Sequence, residues 1–293
     1  MAGEREGRVA LVTGASRGAG AGIARGLGEL GYTVYVTGRT TRPGDARGWD
    51  GSILPGTFAE TAEAVTAAGG RGIGVACDHG DDGAVADLFA RIQRDSGQLD
   101  MLVNNATYIH HQLIEKKPFW EKELDACRIL DVGLRSAYVA SWHAAKIMVP
   151  QGSGLIGFGS SFGASCYMHG PAYGAQKAGV DKLAHDMEHD LRGTGVVAVS
   201  IWMGPLITER SKIASETNPE QYKDFIATAE NPEFTAHILD AIDRAPNRDI
   251  LSGQTLIGAE IARELGISDR GRDKPSYREM LGSPNAKNPA AVY

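Results

Sequence analysis

A short apolar run at residues 8–13 passes directly into Gly14-Ala15-Ser16-Arg17-Gly18-Ala19-Gly20. A helical pattern follows to residue 30. Residues 33–37 read as a second buried strand, ending at Gly38 and Arg39. Strand, glycine-rich turn, helix and strand make a βαβ unit, which joins parallel strands through a crossover helix. Glycines let the backbone approach a pyrophosphate, and the helix N-terminus favours its charge. In this setting the turn points to dinucleotide binding rather than to a purely structural bend.

The same rhythm continues. Strands are expected at 72–77, 99–103, 154–159, 196–202 and 252–257. Helices are expected at 57–68, 82–94, 119–148 and 171–191, with a mostly helical stretch up to residue 244. Seven strands alternating with helices predict an α/β fold, a Rossmann-type doubly wound parallel sheet with helices on both faces. The whole chain, 1–293, reads as one domain without internal repeats. It carries a polar insertion at about 40–56, a variable segment at about 206–234, and a polar tail from 268 that reads as a poorly packed arm. Ligands of such sheets bind beyond the carboxyl ends of the strands. Gly14 to Gly20, Arg39, Asp78, Asn104 to Ala106, Ser160 and Gly204 all fall there.

A net charge of -6 argues against nucleic acid as a partner, because phosphate binding needs a basic face. No apolar run approaches the roughly 20 residues of a membrane span. Cys77, Cys127 and Cys166 are far apart and in no CxxC arrangement, which fits free thiols in a reducing cytoplasm.

Within 171–179 a tyrosine, Tyr173, precedes a lysine, Lys177, by four positions, so both lie on one face of a helix. A nearby ammonium favours a phenolate, and the pair can then exchange a proton with a carbonyl or carbinol. Alone, such a pair is commonplace on protein surfaces. Here it accompanies Thr13-Gly14-x-x-x-Gly18-x-Gly20, Asn104-Asn105-Ala106, and Ser160 thirteen residues before Tyr173. Together these motifs, in this order and spacing, resemble the short-chain dehydrogenase/reductase family over residues 8–265. Asp131 to Arg135 and Glu260 to Gly266 resemble a narrower group within it.

The resemblance implies an oxidoreductase that moves hydride between a nicotinamide cofactor and a carbonyl or secondary alcohol. Tyr173 would be the general acid or base. Lys177 would bind the nicotinamide ribose and support the phenolate. Ser160 would polarise the substrate oxygen, Asn105 would support the cofactor edge, and Thr208 would meet the carboxamide. Two positions depart from the family. Met203 replaces a proline before Gly204, and Gly133 stands where an asparagine holds a relay water through its backbone carbonyl. An enzyme is expected; the alternative is a catalytically idle NADP(H)-binding regulatory or scaffold protein.

NAD enzymes of this kind carry an acidic residue at the end of strand two. Here Gly38 and Arg39 stand there, and Arg17 lies within the turn. Two guanidiniums without a carboxylate suit a 2′-phosphate, so NADP(H) is preferred over NAD(H). Gly14, Ser16, Arg17, Gly18, Ala19, Gly20, Arg39, Asp78, Asn105, Ala106, Tyr173, Lys177 and Thr208 are the expected cofactor residues, with Asp78 at the adenine edge.

Two motifs compete. Gly159-Ser160-Ser161-Phe162-Gly163 fits a hydrolase elbow, but the loop after it lacks the immediate helix that an elbow needs. His185-x-x-Glu188-His189 fits a zinc motif, yet both histidines fall beside the buried stripe of their helix, so no metal is expected. His110, His111 and His169 lie in loops near the expected mouth of the site. Tyr108, Phe162, Tyr167, Met168, Leu206 and Phe225 could line an apolar cleft for a hydrophobic substrate. The helices 119–148 and 171–191 resemble the family's dimer-forming pair, so a homodimer or homotetramer is expected.

Overall fold

The structure is a computed structural model, and it describes residues 7–48, 51–217, 219–288 and 290–292. The sheet begins with β1 (Val9–Val12), α1 (Gly18–Glu29) and β2 (Thr33–Gly38). After an insertion come α2 (Phe58–Ala67), β5 (Arg71–Ala76), α3 (Asp82–Ser96) and β6 (Met101–Asn104). The second half holds α4 (Ser136–Gln151), β7 (Gly154–Ser160), α5 (Pro171–Leu191), β8 (Val196–Trp202), α8 (Glu233–Arg244) and β9 (Thr255–Ile257). The order β5-β2-β1-β6-β7-β8-β9 is parallel throughout. The chain builds outward from β1 through β2 to β5 and then returns to the other side of β1 with β6, which creates a switch point beside β1.

Alternation along the strands builds two cores. Ala10, Val12, Val34, Val36, Val103, Val199 and Ile201 face α1, α2 and α8. Val9, Leu11, Tyr35, Leu102, Ile156, Phe158 and Ala198 face α3, α4 and α5. A strand buried on both faces needs apolar residues at every position, and β1, β6 and β8 are buried along their whole length.

Three expectations about organisation are corrected. The segment 119–148 is not one helix. Short 3₁₀ turns at Phe119–Glu121 and Leu124–Ile129 lead to a break before α4. At the break Gly133 has φ 152° and ψ -42°, and Val132 is also non-helical. The insertion is not a bare loop. It forms a small antiparallel hairpin, β3 (Ala46–Arg47) with β4 (Ile53–Leu54). The tail is not loosely attached. Lys274 bonds the Ala229 carbonyl at 2.6 Å and pairs with the buried Asp269 at 3.1 Å. Asp269 accepts from the backbone and side-chain nitrogens of Asn231, both at 2.9 Å. Tyr277 and Leu281 then pack against the cluster of Phe162, Trp202 and Ile257. Buried polar pairing and apolar contact fix this arm where its polar composition suggests exposure.

Candidate active site

The carboxyl ends of β1, β2, β5 and β6 open into a cavity of about 620 Å³. Gly14, Ser16, Arg17, Gly18, Ala19, Gly20, Arg39, Asp78, Asn105, Ala106 and Thr208 all line it. The glycine turn is tightly held. Thr13 Oγ1 accepts from the backbone N–H groups of Asn105 and Ala106, both at 3.0 Å. The Asn105 amide donates to the carbonyls of Thr13 and Gly14, at 3.0 and 2.9 Å. A Cβ at Gly14 would stand 2.6 Å from Ala106 Cα, and one at Gly20 would stand 2.4 Å from Asn105 Nδ2. No side chain fits there, and the backbone is left open to the cavity. The helix α1 starts with Arg17 extended and no side-chain cap from that residue, so its first N–H groups face the cavity, where the Gly18 N–H donates to the Glu209 carboxylate. A narrow floor without side chains on its glycines and a positive helix end fit a dinucleotide's phosphates.

At the end of β2, Gly38 packs against the Ser16 hydroxyl. A Cβ there would lie 2.1 Å from Ser16 Oγ. Arg39 is half-exposed and faces Asp78 at 3.9 Å. Arg17 is more committed than its sequence position suggests. It donates to Thr40 Oγ1, to the Gly56 carbonyl and to the Pro55 carbonyl at 2.8, 2.8 and 3.1 Å, pinning both ends of the insertion. The hairpin contributes Ala46, Arg47 and Leu54 to the cavity wall. Thr208 stands over Gly18, with its Cγ2 3.9 Å from where a Cβ would be, and trades hydrogen bonds with Ser211 at 2.7 and 3.3 Å.

Tyr173 and Lys177 share a face of α5, with the ammonium 5.5 Å from the phenol ring centre. Gly170 (φ 107°) and Pro171 start the helix abruptly, so Tyr173 comes within its first turn. Gly163 lies flat on the ring, where a Cβ would stand 2.5 Å from Cε1. The serine beside the phenol is Ser161, at 2.9 Å. Ser160, the expected partner, is fully buried and donates instead to the Lys177 carbonyl at 3.3 Å. Successive residues of a strand point to opposite faces. Ser160 ends β7 facing α5, and Ser161 is the residue that turns toward the phenol.

The electrostatics also depart from expectation. Burial pushes the Tyr173 phenol above its ordinary range, with the Ser161 hydrogen bond acting in the other direction. Burial lowers Lys177 to about 8, and the Asp181 carboxylate opposes this. Lys177 donates to the Gly159 carbonyl at 3.0 Å. Asp181 was missed in the sequence, although it continues the Tyr173, Lys177 spacing by another four residues. It is buried under Ser200 Oγ at 2.6 Å and Trp202 Nε1 at 2.8 Å. It ties α5 to the end of β8.

The Gly133 carbonyl is engaged. The Gln176 amide donates to it at 3.0 Å, and the Gly133 N–H donates to Ser136 Oγ at 3.0 Å. Phe162 is core rather than cleft, stacked edge-on against Trp202 at 5.0 Å. Tyr108 hydrogen-bonds Asp125 and lies under the Arg128 guanidinium. Tyr167 is exposed, Met168 half-buried against the Phe162 cluster, and Leu206 paired with Glu230. The side chain of Phe225 lies outside the described residues.

His169 sets its ring edge-on to Tyr173 at 5.0 Å from a left-handed backbone (φ 60°). His110, His111 and Glu123 converge as possible metal ligands. His110 Nδ1 accepts the Gln112 N–H at 3.2 Å, and its Nε2 lies 3.4 Å from Glu123. Glu123 also lies 3.4 Å from His111 Nε2. In the other histidine motif, Glu188 is engaged by Arg192 through two bonds of 2.9 Å.

Comparison with known proteins agrees with this geometry. Residues 8–219 match the family model described as short chain dehydrogenase. Dehydrogenase/reductase SDR family member 1 of Mus musculus is 39% identical over 92% of this chain and 85% of its own length. The Homo sapiens protein of the same name is 37% identical over 96% and 89%. Among solved structures, a double mutant of a Serratia marcescens short-chain dehydrogenase/reductase superposes with a TM-score of 0.68. It is 28% identical and covers 86% of this chain and 96% of that one. With its family match spanning most of the sheet and relatives this similar over nearly their whole length, the chain belongs to the short-chain dehydrogenase family.

Proposed function

We propose that this protein is an NADP(H)-dependent oxidoreductase acting on a carbonyl or secondary alcohol. The observation that carries the reading is the half-buried Tyr173 phenol bonded to Ser161, with Lys177 one turn along the same helix face. The nicotinamide, when bound, supplies or accepts the hydride. The protein's part is the proton. A phenol held protonated by burial suits the general acid of carbonyl reduction. As negative charge grows on the substrate oxygen, Tyr173 donates its proton there and Ser161 donates a second hydrogen bond. The Lys177 charge stabilises the phenolate left behind.

The preference for NADP(H) is supported by the residues at the end of β2. Gly38 presents no carboxylate from the end of β2, and a Cβ there would require the Ser16 hydroxyl to turn away. Arg39 remains as the half-exposed cation for a 2′-phosphate. An apolar substrate flank would rest on Tyr167, Met168 and Leu206. Three free thiols and the lack of a membrane-crossing helix among the described residues accord with a cytoplasmic setting. On α4, Tyr138 and Trp142 present an exposed aromatic pair one turn apart, which supports a homodimer or homotetramer through α4 and α5. A monomer by light scattering at micromolar concentration would overturn that.

The engaged carbonyl of Gly133 favours one second reading, an idle NADP(H)-binding protein. The deciding experiment follows NADPH consumption with ketones, aldehydes and quinones, comparing the native chain with Tyr173→Phe. Turnover abolished by the substitution, with NADPH binding retained, supports the enzyme. Tight NADPH binding without turnover across the panel favours the idle protein. Equal efficiency with NADH would reject the cofactor preference.

A further inference from the structure

The glycine turn already has an anionic partner from within the chain. The Gly18 N–H, first in α1, donates to the carboxylate of Glu209 at 2.9 Å. Glu209 is the first residue of α6 (Glu209–Thr217), which begins the segment crossing the cavity. It lines the cavity beside Arg17, Thr208 and Arg210. The Arg17 guanidinium also feels the Glu209 charge. One carboxylate therefore occupies the helix N-terminus that would attract a phosphate there and acts through space on the nearby arginine.

A backbone N–H has one proton to donate. The Gly18 N–H cannot serve the Glu209 carboxylate and a pyrophosphate oxygen together, and two anions at one helix end repel. We propose that Glu209 competes with the cofactor's pyrophosphate for the N-terminus of α1, so that dinucleotide binding requires the head of α6 to release its carboxylate. This rests on the dinucleotide reading above. It couples the segment over the cavity to the cofactor. Because Thr208 stands over Gly18, releasing Glu209 also frees the residue expected to meet the nicotinamide. The family resemblance identified Thr208 but gave no role to its neighbour.

The test is a fluorescence titration of NADPH against the native chain, Glu209→Gln and Glu209→Ala, with thermal melting of each without cofactor. Removing the competing charge is expected to tighten NADPH binding about fivefold to tenfold, a gain of about 1 to 1.4 kcal/mol. Melting should stay level or fall, because α1 loses a cap. Tighter binding in a less stable protein is an outcome that a purely structural cap cannot give. Unchanged or weaker NADPH binding in Glu209→Gln would overturn the proposal. Failure of the native chain and both variants to bind NADPH or NADH would instead reject the dinucleotide reading itself.

Discussion

The phenolic oxygen of Tyr173 and the hydroxyl oxygen of Ser161 lie 2.9 Å apart, close enough to act on one substrate oxygen. Ser160 is covalently adjacent, yet its hydroxyl serves the Lys177 carbonyl. Ser161→Ala should lower the turnover number by about 10²-fold, the usual loss of an oxyanion donor, and leave NADPH affinity unchanged. Ser160→Ala should chiefly lower the melting temperature. Steady-state kinetics of both variants decides between the serines, and the opposite ranking would return the role to Ser160.

Lys177 sets the alkaline limit. Its folded value of about 8 lies below the ordinary lysine value because its charge is buried. Carbonyl reduction should hold steady below pH 8 and decline above it, as the charge supporting the phenolate is lost. Stability should move the opposite way. Between pH 8 and 10.5 the unfolded lysine holds a proton that the folded one has released, so this group's contribution improves as pH rises. Rate profiles and melting curves over pH 6–10 check both signs. A rate that climbs through pH 9 would contradict the assignment.

Glu230 is a buried carboxyl whose oxygen accepts the Gly204 N–H at 3.1 Å. Burial and the nearby Asp269 raise it to about 7. Between pH 4.5 and 7 the folded chain holds the proton that the unfolded chain has lost. This group's contribution therefore falls as pH rises through that window. Glu230→Gln keeps an acceptor for Gly204 without the charge. It should be more stable than the native protein at pH 8, by on the order of 2 kcal/mol, and the advantage should shrink toward pH 5. A pH-independent difference in denaturant titrations would show that the carboxyl is not titrating there.

Replacing Gly133 with asparagine restores the family's residue but not its geometry. At φ 152° a side chain is strained, and its Cβ would meet Gln176 Cγ at 3.1 Å and Thr107 Oγ1 at 3.2 Å. Gly133→Asn should cost about 1–3 kcal/mol of stability and give no gain in turnover. A variant as stable as the native chain would mean that the break before α4 relaxes easily.

Much of this architecture is written in local pattern. The buried strands at 9–12, 33–38 and 196–202 carry apolar residues on both faces, so their elements could be read without tertiary information. The glycine turn was legible because its constraint is steric and belongs to consecutive residues. What escaped depends on contacts between distant segments. Gly133 breaks a helix that its neighbours favour, while Gln176, more than forty residues away, bonds its carbonyl. The choice of Ser161 over Ser160 depends on how the chain leaves the sheet, which spacing from Tyr173 does not encode. The arm after residue 268 looks solvated by composition, yet Asp269 and Lys274 are buried as a pair.

That arm works as a clasp. Asp269, Lys274, Tyr277 and Leu281 all follow the last strand of the sheet, and they secure Asn231, Ala229 and the Phe162 cluster. A chain cut after the last strand would keep every strand of the sheet and the glycine turn, but the loop behind the catalytic tyrosine and the entry to α8 would lose the contacts that hold them.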